Sequence, residues 1–146
     1  MSAPDSPVGQ PVTALILFAH GSRDPRWALP FERMAQALRE RLPSAESTRV
    51  QLAFLELMTP SLSEAATHAV QSGAQRIAVA PLFLGAGSHI REDLPALLDD
   101  LRQQHPGVQL DLLPLLGDMP ELTAAVAGIY APLLGEGTDG EDGQKR

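Results

Sequence analysis

The sequence predicts an α/β fold of three layers, α/β/α, around one four-stranded parallel sheet. Two observations carry that prediction. Short apolar runs alternate four times with stretches of helical periodicity. The runs are apolar continuously rather than at every second residue, which is the habit of strands buried on both faces. The stretches between them also carry helix start and stop signals, so the alternation has defined boundaries.

Thr13 to Ala19 is the first such run and reads as strand one. After a turn at His20 to Asp24, Trp27, Phe31, Met34, Ala35 and Leu38 recur at helical spacing, with Pro25 tolerated in the first turn. Residues 50–55 read as strand two. Ser61 with Glu64 then forms a capping-box pattern after Pro60, and the helix it opens stops at Gly73, a residue suited to the C′ position. Residues 76–81 read as strand three, continued by the Leu82 to Ser88 loop into His89, which lies before the next helix. Leu94, Leu97, Leu98 and Leu101 give that helix one face, with Asp93 as its N-cap and Pro95 near its start. Residues 109–113 read as strand four, and residues 121–134 as the last helix, entered through Gly117-Asp118-Met119-Pro120.

Composition bounds the function. A chain of 146 residues with 44% hydrophobic and 4% aromatic residues can form one domain with a real core, expected over residues 13–134. Residues 1–12 and 135–146 are rich in Pro, Gly and small or acidic residues and read as flexible tails. A net charge of -7 argues against a nucleic-acid backbone or an anionic membrane as partner, since both require a basic face. With no cysteine there is no thiolate zinc site and no cysteine-ligated cluster, so a metal here would use His, carboxylate or water. No run approaches the roughly 20 apolar residues of a membrane span, and the amino terminus lacks a signal-peptide pattern. Cytoplasmic residence is the expectation.

His20 and His89 each follow an apolar strand and each sit in a Gly/Ser turn. In one parallel sheet both imidazoles arrive at the carboxyl edge, where open α/β sheets bind ligands. Glu56, after strand two, belongs to the same edge. Alone, either histidine would read as a turn residue; the paired placement favours a shared site. Neutral imidazoles suit cobalt, iron, nickel or zinc, and Glu56 can complete a shell or accept protons. His68, inside a helix with no HxxxH partner, and His105, at a helix end before Pro106-Gly107, read as structural.

Nucleotide signatures are absent. Gly85-Ala86-Gly87-Ser88-His89-Ile90 has Ile90 where a third glycine belongs, and no P-loop pattern occurs. Gly21-Ser22 is not a nucleophile elbow. A histidine phosphatase is a rival reading of Ala19-His20-Gly21, but Ala19 stands where the phosphate-holding arginine of that family belongs. A non-catalytic metal or tetrapyrrole carrier is the other rival.

Three blocks in order, LILFAHGSRDP from Leu15, Phe54-Leu55-Glu56 followed by Thr59-Pro60-Ser61-Leu62, and PLFLGAGSHIREDLP from Pro81, resemble the sirohydrochlorin chelatases of the CbiX type. The resemblance spans about residues 13 to 134. It implies a chelatase-like fold with flavodoxin-like winding and ATP-independent insertion of cobalt or iron into sirohydrochlorin, in cobalamin or siroheme biosynthesis. By motif, the family's metal-binding histidines fall on His20 and His89 and the glutamate of its F-L-E motif on Glu56, so these three are the candidate catalytic residues. Long members carry two such domains in one chain, and resemblance to the short members implies a homodimer. Sirohydrochlorin is rich in carboxylates, so Arg23, Arg26 and Arg91 are candidate clamps, with Ser22 and Ser88 as further candidate substrate-binding residues. Trp27 and Phe83 could stack on the macrocycle, but core or interface packing is the role favoured for both.

Overall fold

The computed structural model describes residues 12–42, 47–85 and 87–136. In chain order the elements are β1 (Thr13–Ala19), a 3₁₀ turn (Pro25–Trp27), α1 (Ala28–Arg41), β2 (Thr48–Phe54), α2 (Leu62–Gln71), β3 (Arg76–Pro81), α3 (Ser88–Gln104), β4 (Gln109–Leu112), a second 3₁₀ turn (Leu116–Asp118) and α4 (Pro120–Ala131). The strands form one sheet in the order β2-β1-β3-β4, every pair parallel. The predicted α/β class and four-stranded parallel sheet are what the structure has. Apart from Val12, Gly135 and Glu136, the two expected tails lie outside the described residues.

Side chains alternate across β1, and the two faces build two cores. Ala14, Ile16 and Phe18 join Ile77 and Val79 of β3 beneath α2 and α3, where Leu62, Ala66, Leu94, Leu98 and Leu101 are buried. Leu17 faces the other way and packs with Val50 and Ala35 beneath α1. α1 thus lies on one side of the sheet and α2 with α3 on the other, which gives the three layers. The winding reverses between β1 and β3, because the chain runs from β1 outward to β2 and then crosses back over β1 to reach β3. At such a switch point the loops leaving the two central strands part to opposite faces and open a crevice.

Sequence and structure differ at several boundaries. β2 begins at Thr48 rather than Val50, because the ladder to β1 pairs Thr13 with Thr48 and Ala14 with Arg49 irrespective of their polarity. β4 ends at Leu112, although the Leu113 N–H still donates to the Val79 carbonyl at 2.9 Å. α3 starts at Ser88, with Gly87 as an extended N-cap, so Asp93 is not the cap, His89 lies in the first turn rather than the loop, and Pro95 is interior. An interior proline costs about 3 kcal/mol. Leu94, Leu98 and Leu101, each no more than 4% exposed, contribute about 2 kcal/mol apiece, enough to carry the helix through it. The last helix stops at Ala131 and passes into a π-type turn (Pro132–Glu136), since Pro132 has no N–H to continue the ladder. No described helix is long and apolar enough to cross a membrane.

Two stability predictions follow from α3. Leu98→Ala should cost roughly 2–5 kcal/mol in urea unfolding, the range for emptying a filled core position. Pro95→Ala, at an exposed position, should stabilise by about 1 kcal/mol or more by restoring a helical donor.

Candidate functional site

The loops after β1, β2 and β3 meet at the carboxyl edge, and short backbone contacts fix them there. The Leu55 N–H donates to the Ala19 carbonyl and the Leu82 N–H to the Phe18 carbonyl, both at 2.8 Å, so strand pairing continues into the first residues of the loops. His20 is the residue immediately after β1. Its Nδ1 lies 3.4 Å from Glu56 Oε1, a loose contact, while the Gly21 N–H donates to Glu56 Oε2 at 2.7 Å, a strong one. The carboxylate is therefore anchored by the backbone and presents its second oxygen to the imidazole.

Glycine is required at position 21, because a Cβ there would collide with the Glu56 carbonyl. That carbonyl also accepts the Met58 N–H at 2.8 Å across Leu57, whose φ of 69° makes this a γ-turn. A non-glycine residue in that conformation is strained, and such strain persists only where surrounding contacts enforce it. Glu56 is thus held at both its carboxylate and its carbonyl.

The His20 ring is held from two further directions. The indole N–H of Trp27 donates to the His20 carbonyl at 2.7 Å, and the edge of Phe83 packs on the imidazole with centroids 4.7 Å apart. Phe83 is 2% exposed and also meets Phe18, so it supports the histidine from the core. It therefore packs, as favoured, and also forms part of the lining of the cleft beside the histidine. With Nδ1 turned to Glu56, Nε2 is the nitrogen available to a metal ion, and the side chain is half exposed. An apolar cleft of about 430 Å³ opens beside it, lined by Trp27, Phe31, Met34, Leu84 and Leu116 among others. Its far wall is fixed where the Gly117 N–H donates to the Phe83 carbonyl at 2.9 Å and a Cβ on Gly117 would collide with the Leu84 carbonyl.

The other predicted residues are placed less uniformly. His89 is exposed in the first turn of α3, on the same sheet edge but in no hydrogen bond or ring contact with His20 or Glu56 among the described residues. No group of three His, Cys, Asp or Glu side chains there stands close enough to hold a metal ion. Ser22 Oγ accepts the Asp24 N–H at 3.1 Å, a turn contact, and Ser88 opens α3. Arg26 is committed to Asp24, at 2.8 to 3.2 Å through three bonds; that guanidinium holds the Asp24 carboxyl below its ordinary value, and Arg26 is raised in return. Arg91 is paired with Asp118 at 3.2 Å. Arg23 is exposed and has no hydrogen bond or ion pair among the described residues, so it is the most available of the three cations. His68 is exposed on α2, and His105 caps α3 with its Nε2 buried and unpartnered among the described residues.

The supporting roles of Gly21, Trp27 and Phe83 were not legible as such. The HGS turn signalled a tight bend, but nothing in it named Glu56 as the backbone it would touch.

The structure is thus a parallel α/β domain with an imidazole and a carboxylate paired at its switch point, the imidazole beside an open apolar cleft. The CbiX family profile matches residues 14–131. The chain belongs to the CbiX family. It is 34% identical over 87 residues to the sirohydrochlorin cobaltochelatase of Methanopyrus kandleri, a match covering 60% of this chain and 59% of that protein. The chain therefore spans less than two thirds of that relative's length. Among solved structures it is similar to a cobalamin (vitamin B12) biosynthesis CbiX protein from Marinobacter aquaeolei VT8, with TM-score 0.73, 35% identity, and 85% of this chain and 98% of that one covered. It is also similar to SirB from Bacillus subtilis, solved with Fe3+, with TM-score 0.66 and 26% identity over 80% of this chain and 45% of that one.

Gly21→Ala is expected to destabilise the fold by about 2 kcal/mol and to weaken Co(II) binding, because the Glu56 loop must move. Ser22→Ala, which removes one turn contact, should cost under about 1 kcal/mol and leave metal binding intact. Urea unfolding and a Co(II) titration of each variant check both statements.

Proposed function

We propose that this chain inserts a divalent metal ion, cobalt or iron, into sirohydrochlorin without a nucleotide, as a cytoplasmic homodimer whose product serves cobalamin or siroheme biosynthesis. Residues 13–134 form its single chelatase domain. The observation that carries the reading is the His20–Glu56 pair, anchored at the switch point with His20 lining an apolar cleft. The family's relatives named for sirohydrochlorin cobaltochelatase activity and the SirB structure with iron support the substrate class.

Metal insertion asks three things of a site. Water must leave the metal ion, the ring nitrogens must reach it out of plane, and two pyrrolic protons must be taken away. His20, through Nε2, and His89 hold the ion from one side and leave coordination positions for the ring nitrogens. Imidazole also accepts nickel or zinc, so supply of the metal contributes to which ion is used. Glu56, 3.4 Å from His20 and 43% exposed, orients the imidazole, and either it or an imidazole accepts the departing protons. The apolar cleft receives part of the macrocycle face and excludes water there, while Arg23 pairs with a peripheral carboxylate. Arg26 and Arg91 reach the substrate only by exchanging Asp24 and Asp118 for it, which makes them weaker clamps. Ser22 and Ser88 contribute at most peripheral hydrogen bonds. Neither nucleic acid nor membrane enters the reaction.

Anaerobic absorbance of sirohydrochlorin with Co(II) or Fe(II) tests the activity. Wild type should accelerate insertion, and His20→Ala and His89→Ala should each lower the rate at least about 100-fold. Tight binding of the tetrapyrrole with no acceleration by wild type would reject the chelatase reading and leave a carrier. Arg23→Ala should raise KM for the tetrapyrrole roughly 5- to 20-fold with kcat nearly unchanged, the pattern of lost binding that does not change between ground and transition state. An unchanged KM would remove Arg23 from the site.

A further inference from the structure

His20 stands where the strand ladder ends. The Phe18 and Ala19 carbonyls accept the Leu82 and Leu55 N–H groups, and the next carbonyl, that of His20, accepts the indole N–H of Trp27 at 2.7 Å. A side chain from beyond the turn thus serves the first carbonyl that the strands do not. The imidazole itself is loosely held. Its Nδ1 lies 3.4 Å from Glu56 Oε1, longer than a good hydrogen bond, and half of the side chain is open to solvent. The position of the ring therefore depends on its backbone and on Phe83 behind it.

The loop between the two residues is folded so as to deliver that bond. Ser22 Oγ accepts the Asp24 N–H at 3.1 Å, Asp24 Oδ1 accepts the Arg26 N–H at 2.9 Å, and the Asp24 carbonyl accepts the Trp27 N–H at 2.9 Å. Pro25 fixes the backbone between them, and the indole then returns to His20. On its other side the indole meets Phe31, with centroids 5.6 Å apart, and Phe31 meets Phe54 at 6.4 Å. Phe54 is 4% exposed and closes β2, just ahead of Glu56. One aromatic row thus spans the ends of the two strands that supply the imidazole and the carboxylate. Burial does not account for the indole. Trp27 is 42% exposed where it lines the cleft beside His20, whereas a tryptophan that served packing alone would bury most of its ring.

We propose that Trp27 is a positioning residue for metal binding: its indole N–H holds the His20 backbone at the place from which Nε2 reaches the ion. The proposal rests on the reading of His20 as a metal ligand and names the group that keeps that ligand in place. Metal–imidazole bonds are about 2.1 Å long and vary by only about 0.2 Å, so freedom at the backbone of a ligand residue is felt at the ion. Groups that orient a ligand through a hydrogen bond are generally worth about 10- to 100-fold in metal affinity. A bond that acts through the backbone, as here, belongs at the lower end of that range. The same ring walls the cleft, so a ligand lying there bears directly on the group that holds His20.

Trp27 is the one tryptophan of the chain, so expression in a tryptophan auxotroph supplied with an analogue alters this position alone. Benzothienylalanine keeps the shape of the bicyclic ring and puts sulfur in place of the N–H, whereas fluorotryptophan keeps the N–H. Each protein is titrated with Co(II) in the absence of tetrapyrrole. The benzothienylalanine protein should bind Co(II) about 10-fold more weakly than wild type, with its urea midpoint within about 1 M, and the fluorotryptophan protein should match wild type within about twofold. Trp27→Phe, which lacks the donor and needs no analogue, should show the same loss. Wild-type Co(II) affinity in the benzothienylalanine protein or in Trp27→Phe would overturn the proposal. So would equal losses with both analogues, since these would trace the effect to ring packing rather than to the N–H. The readings beneath fail separately. Unchanged Co(II) affinity in His20→Ala rejects His20 as a ligand, whereas a wild type that binds Co(II) without metallating sirohydrochlorin rejects the chelatase activity and leaves the role of Trp27 standing.

Discussion

The reversal of winding between β1 and β3 is the constraint on which the site depends. Because the chain leaves β1 toward α1 on one face and leaves β3 toward α3 on the other, no helix fills the space above the two central strands. His20 enters that space one residue after β1, and α3 begins with His89 in its first turn. The fold therefore brings His20 and His89 to the same edge of the sheet with no help from their local sequence, and it adds Glu56 from the end of β2, the strand on the other side of β1. A sheet with its strands in another order would carry the same three residues to separate places.

Rigidity at the edge comes from backbone groups rather than from charge. The bond from Gly21 to Glu56, the γ-turn at Leu57 and the close approach of Gly117 to Leu84 fix loop positions to within the width of a methyl group, since a Cβ at either glycine has no room. The ion pairs around the site are exposed and contribute little to stability. Their effect is on availability: among the described residues Arg26 and Arg91 each carry an acidic partner, and Arg23 does not.

Much of this was legible from residues alone. β1 and β3 announced themselves because buried parallel strands admit only apolar side chains, and the edge that unites His20, Glu56 and His89 followed from their order along the chain. β2 was read two residues short because Thr48 and Arg49 lie in an edge strand, where one side is free to be polar. α3 was misread at its start because Asp93 and Pro95 form a convincing local signal, and only the burial of Leu94, Leu98 and Leu101 outweighs it. The commitment of Arg26 to Asp24 and the grip of Trp27 on the His20 carbonyl depend on how a short turn folds back, which periodicity does not encode.

The central claim is that the switch point brings His20 and His89 to a single metal ion. X-ray absorption at the cobalt edge of the Co(II)-loaded protein measures this directly through the number of coordinated imidazole rings. Two rings in the wild type, and one in each of His20→Ala and His89→Ala, is the predicted result. A single ring in the wild type, or a count that either substitution leaves unchanged, would contradict the account.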